Sequence, residues 1–117
     1  MRNEVKEISI EFAIRIVNLY KYLCNEKKEF IMSKQVLRSG TAIGALVSEG
    51  EFAESKADFA HKMAIALKEA NETKYWLYLL KETDYLSDTE FDDINKDVLS
   101  LVGLLVAIVK SAKGIKK

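Results

Sequence analysis

His61 is the only histidine of the chain, and it stands three residues after Asp58. On a helix that spacing puts both side chains on one face, and the pair resembles half of a bundle metal site. A di-iron carboxylate bundle needs two Glu-x-x-His motifs and further inward glutamates. One histidine cannot supply that, so no metal and no cofactor are expected. His61 would also have to serve as base for any serine or cysteine nucleophile. It reads as a surface residue near the start of a helix, and no enzyme is expected. Cys24 is the single cysteine, which leaves no intrachain disulfide or cysteine-rich metal site. Within "YKYLCNE" it reads as a small buried hydrophobe. The carboxylates Asp92 and Asp93 read as a solvated helix start. Neither Walker nor dinucleotide glycine spacing is present.

A second group of residues points to packing rather than catalysis. The stretch "LRSGTAIGALVSEGE", residues 37–51, has helical character yet holds Gly40 and Gly44. Each interior glycine costs a helix about 1 kcal/mol relative to alanine. Four residues apart, the two share one face, where they let a second helix backbone come close and offset that loss. Arg38 lies in the same stretch, and "LKEANETKYW" carries Glu69 and Glu72. If the helices holding these segments run antiparallel, Arg38 reaches Glu69 or Glu72 and forms a partly buried mid-bundle ion pair. A buried arginine without a partner would be strongly destabilising. Tyr75, Trp76 and Tyr78 form an aromatic cluster suited to a core or an interface, with base stacking as the alternative.

Four helices position these residues. Proline is absent, and the glycines do not cluster into a linker. No Asn-Gly or Asp-Gly hairpin turn separates alternating runs, whereas three-four spacing recurs throughout. The first helix is expected from about Val5 to Asn25, followed by the charged turn "NEKKE". The second runs from about Phe30 to Ser48, with Gly50 as a left-handed stop. The third begins after Ser55, which with Asp58 resembles a capping box, and reaches about Asp84. The fourth begins at Ser87, where "SDTE" forms another capping box through Glu90. The acids Asp88–Asp93 suit its positive end and the terminal lysines its negative end. Short connections imply antiparallel neighbours. The expected fold is therefore all-α, an up-down-up-down antiparallel four-helix bundle, with residues 1–117 forming one domain.

The bundle carries more apolar surface than one chain uses. The fourth helix has a full core stripe through Ile94, Val98, Leu101, Leu105 and Ile115. Beside it run Leu99, Val102, Val106 and Val109, and Leu104 widens the face again. The first helix repeats the pattern with Ile10, Ile14 and Val17. One apolar stripe suffices for a helix in a monomeric bundle; the surplus predicts a homo-oligomer with its interface at Leu99, Val102, Val106 and Val109.

Lysine plus arginine equals aspartate plus glutamate, giving a formal net charge of zero. A dedicated nucleic-acid binder carries a basic excess, which this chain lacks. Basic residues without nearby acids are the candidate nucleic-acid contacts: Lys34 and Arg38 on the second helix, and Lys110, Lys113, Lys116 and Lys117 at the end of the fourth. The segment "MRNEVKEISIEF" is too charged for a signal peptide, and the apolar run Val98–Val109 is too short to span a bilayer. A cytoplasmic protein is expected.

The combination of Leu37-Arg38-Ser39 with the small residues that follow, Ser48-Glu49-Gly50, the Ala-Leu-Lys-Glu-Ala run 66–70, Glu72-Thr73 and Tyr75-Trp76-Leu77 resembles the four helix bundle protein family. That family is also called the 23S ribosomal RNA intervening-sequence proteins, and the resemblance spans about Phe12 to Leu105. It departs where many members have Asn-Ile or Asn-Val and this chain has Leu46-Val47. The resemblance implies a left-handed four-helix bundle assembled as a homopentamer around a central pore. It further implies a bacterial protein, in some cases encoded within an intervening sequence of a 23S rRNA gene. A similar bundle is the accessory protein of diversity-generating retroelements, which binds nucleic acid and reverse transcriptase. Two functions follow as expectations: a non-enzymatic oligomeric assembly or scaffold module, and, as the alternative, an RNA- or DNA-binding accessory protein.

Overall fold

The computed structural model describes residues 4–114; Ile115, Lys116 and Lys117 lie outside them. Four helices make up the fold: α1 (Glu4–Asn25), α2 (Met32–Gly50), α3 (Lys56–Glu82) and α4 (Asp88–Ala112). The described residues contain no strand. Each helix packs on its sequence neighbour, and α4 closes back on α1. Side-chain pairs across the seams run in opposite directions along their helices. On α1 and α2, Lys6 meets Glu51, Ser9 meets Gly44 and Ile16 meets Gly40. On α2 and α3, Arg38 meets Glu72 and Gly50 meets Met63. On α1 and α4, Arg15 meets Asp97 and Tyr22 meets Glu90.

The core is built from the expected three-four stripes. Phe12, Ile16 and Leu23 of α1, Ile43 of α2, Leu77 of α3 and Leu101 of α4 are wholly buried. Burying one such side chain contributes roughly 1.5–3 kcal/mol. No buried side-chain nitrogen or oxygen among the described residues lacks a hydrogen-bond partner.

Two helix starts follow the sequence signals. Ser55 Oγ accepts from the N–H of Asp58 at 3.0 Å. Ser87 and Glu90 cap each other's backbone N–H groups at 2.9 and 3.1 Å, a complete capping box. The start of α2 differs from expectation. It begins at Met32 rather than Phe30, and its N-cap position, Ile31, has no capping side chain. The buried carboxylate of Glu29 does the work instead. It accepts from the N–H groups of Ile31, Met32 and Ser33 at 3.1, 2.9 and 2.7 Å. The open N–H groups of the first turn thereby meet a full negative charge.

The end of α2 is a second correction. Gly50 is the last helical residue and not a left-handed stop, since the one glycine with positive φ among the described residues is Gly114. It lies close against α3: a Cβ there would stand 2.6 Å from Met63 Cε, and the flexible end of the methionine would have to move. The left-handed positions in the turns are held by Lys28 and Asp84, with φ of 56° and 70°. After α3, Tyr85 N–H reaches Leu80 O at 2.8 Å and Asp84 N–H reaches Lys81 O at 3.1 Å, the six-to-one and five-to-two bonds of a Schellman end. After α1, Glu29 N–H reaches further back, to Leu23 O at 2.9 Å.

Candidate functional site

The two glycines of the opening stretch face α1. A Cβ on Gly40 would stand 2.8 Å from Ile16 Cγ1, and one on Gly44 would stand 3.2 Å from the backbone oxygen of Ser9. Backbone meets backbone at Ser9, which is itself fully buried. Between the glycines and α3, the buried hydroxyls of Ser39 and Thr73 lie 2.9 Å apart, and Thr73 Oγ1 is also 2.8 Å from the carbonyl oxygen of Glu69. Sequence reasoning passed over this buried polar pair. Its signal was present, because Ser39 and Thr73 occupy core positions of their helices.

Arg38, one residue before Ser39, turns the other way. Its guanidinium donates to Glu69 Oε1 at 3.3 Å and to Glu72 Oε2. The indole N–H of Trp76 donates to the same Glu72 oxygen at 3.0 Å. The hydrogen bond from Trp76, followed by that from Arg38, holds the Glu72 carboxyl below the usual carboxylate range. The hydrogen bond to Glu72 in turn raises Arg38 above its ordinary value. Arg38 therefore pairs with both carboxylates, but its side chain is 50 % exposed. The Glu69 and Glu72 side chains are 18 % and 34 % exposed, so the network is covered on its carboxylate side and open at the arginine.

The surplus apolar residues divide into two sets. Ile10, Ile14 and Leu99 are exposed at 42 %, 58 % and 47 %. Val102 and Val109, expected at an interface, are half-buried against the bundle's own core, and Leu104 joins them. Val106 is half-buried. Gly103 lies on the outer side of α4, with no atom within 4 Å of where a Cβ would stand. Beside Ile10 and Ile14, a shallow groove of ≈ 300 Å³ runs between α1 and α2, floored by Ala13, Gly44 and Ala45.

The remaining candidates are scattered. Lys34, Lys110 and Lys113 are exposed, and none forms an ion pair with a described acid. Lys116 and Lys117 fall outside the described residues. Tyr75 and Tyr78 are exposed, in an edge-on arrangement of Tyr75 with Trp76 (centroids 4.9 Å apart), beside Lys74, Asn71 and Asn95. His61 is exposed. Among the described residues, no three His, Cys, Asp or Glu side chains converge as a metal site would need, and no helix is long and apolar enough to cross a membrane.

Comparison with known proteins agrees with this architecture. The model of the 23S rRNA-intervening sequence protein family matches residues 1–107. Among solved structures, the chain is similar to a protein of unknown function from the S23 ribosomal protein family of Bacteroides thetaiotaomicron. The two share 58 % identity and a TM-score of 0.89, over 91 % of this chain and 98 % of that one. No curated protein matches.

Proposed function

The chain belongs to the 23S rRNA-intervening sequence protein family, and from that premise we propose that it is a non-enzymatic, self-associating bundle, a homopentamer that acts as an assembly or scaffold module. One observation carries the reading. Ile10, Ile14 and Leu99 hold large aliphatic side chains in water on two different helices of a single chain, although that chain already has a complete core. Large aliphatic side chains left exposed on two faces are available for an interface. Light scattering at micromolar concentration tests it. A mass about five times 13.3 kDa is expected, and a clean monomer mass overturns it.

The nucleic-acid reading is favoured by a narrower observation, the unpaired Lys110 and Lys113 at one end of α4 and the exposed Tyr75 and Tyr78 beside Lys74. Repetition in a ring multiplies weak contacts. Titration of duplex DNA and structured RNA at about 50 and 200 mM salt separates the readings. Phosphate contacts give a log–log slope of about −0.9 per neutralised phosphate on duplex DNA. No binding at low salt leaves the scaffold reading alone.

A further inference from the structure

The two exposed apolar faces lie on different helices, and the bundle's own ion pairs fix their relative heights. Across the α1–α4 seam, Arg15 bridges Asp93 and Asp97, and Tyr22 meets Glu90, so residues forward on α1 match residues back on α4. Extending the same ladder puts Ile14 near the level of Leu99, Ile10 near Gly103, and Lys21 near Asp92, each to within a helical turn. These residues do not touch within one chain, because all six point away from the seam and all except Gly103 are exposed side chains. Rotation about an axis parallel to the bundle moves no copy along that axis. In a closed ring of that kind, α4 of one copy and α1 of the next therefore keep the height relation they have within a chain.

Resting on the homo-oligomer reading, we propose that the ring closes through a heterologous contact in which α1 of one copy packs antiparallel on the outer face of α4 of the next. Ile10 enters the hole framed by Leu99, Val102, Gly103 and Val106. Those four positions have the spacing of a knobs-into-holes socket. The glycine that nothing fills within the chain gives the socket its depth. Ile14 lies against Leu99, and Lys21 faces Asp92, an opposite-charge pair at the rim. The occupant is a second copy because both halves of the match, the Ile10–Ile14 ridge and the open socket at Gly103, are on this chain at corresponding heights, with Lys21 opposite Asp92. The two faces differ, so the contact propagates in one direction, as a ring requires and a two-fold dimer does not.

The test uses the full chain with Cys24→Ser, carrying Ile10→Cys and Gly103→Cys together. Oxidation is expected to move most of the protein from the 13.3 kDa band to a ladder of covalent multimers on a non-reducing gel, because Cα atoms about 5.5 Å apart accept a disulfide. A second arm avoids cysteine. Asp92→Lys should raise the dissociation midpoint about fivefold, the effect of one surface ion pair. Adding Lys21→Asp should bring it back. An oligomer by light scattering that yields no ladder and no charge-swap rescue overturns this contact and leaves self-association standing. A monomeric parent overturns both.

Discussion

Gly44 and Gly103 are both mid-helix glycines, and their surroundings are opposite. At Gly44 a neighbouring helix presses a backbone oxygen to within 3.2 Å of the absent Cβ; at Gly103 nothing comes within 4 Å. The α1–α2 seam shows what a helix gains from a glycine: contact with a partner that any side chain would push away. The outer face of α4 bears the same helix penalty with no partner in the chain. The lesson is that a glycine's value in a helix is set by what stands opposite it. A glycine with nothing opposite bears the helix penalty, and a Cβ placed there would meet open space.

Filling the tight seam should have the largest effect. Gly44→Val forces branched carbons against Ser9 and is expected to destabilise by about 3 kcal/mol, the upper part of the overpacking range. A thermal melt checks this; an unchanged midpoint would mean the seam is looser than described. Next is Glu29→Ala, which leaves the first turn of α2 without its cap. A loss of about 2 kcal/mol is expected, with Gln restoring part of it, read by chemical denaturation.

On the open face the sign reverses. In a dissociated background such as Leu99→Glu, Gly103→Ala should stabilise by about 1 kcal/mol through helix propensity alone. That corresponds to a rise of about 4–8 °C. A loss there would erase the contrast between the two glycines. The smallest effect is expected at Arg38, on the outer side of α2. Because it is half exposed, Arg38→Ala should cost no more than about 1 kcal/mol and less in high salt. Glu72 is held below its ordinary value of about 4.3. Its contribution is therefore present above the unfolded value and lost as pH falls through the lower folded one. Parent and variant melts should accordingly converge once pH falls below the ordinary carboxylate range.

Periodicity made the four helices legible, and serine-led caps made the starts of α3 and α4 legible. The start of α2 was not, because Glu29 caps from two residues before the N-cap and looks like one more charge in a solvated turn. Gly50 was read as a left-handed stop, but it is the last helical residue of α2 and has no positive φ. The partners of Arg38 followed from spacing and antiparallel packing. Its exposure did not, since a residue beside two glycines and a buried serine can still point outwards. Val102 and Val109 pack partly against the bundle's own core, which the sequence could not show, because a wide apolar helix looks the same whether its flanks meet sister helices or another chain.

The seam between α1 and α4 has one more consequence, in time rather than in space. Every other seam joins helices linked by a short turn, whereas this one must bring together segments separated by most of the chain, and loop-closure entropy grows with that separation. Its side-chain hydrogen bonds join Arg15 to Asp93 and Asp97 and Tyr22 to Glu90. Folding should therefore run through the three hairpin seams first and latch α1 to α4 last. Arg15→Ala should then speed unfolding with little change in the folding rate, the signature of a contact absent from the transition state. Stopped-flow measurements on both limbs would show it. If the folding limb slowed instead, α1 and α4 would be meeting early.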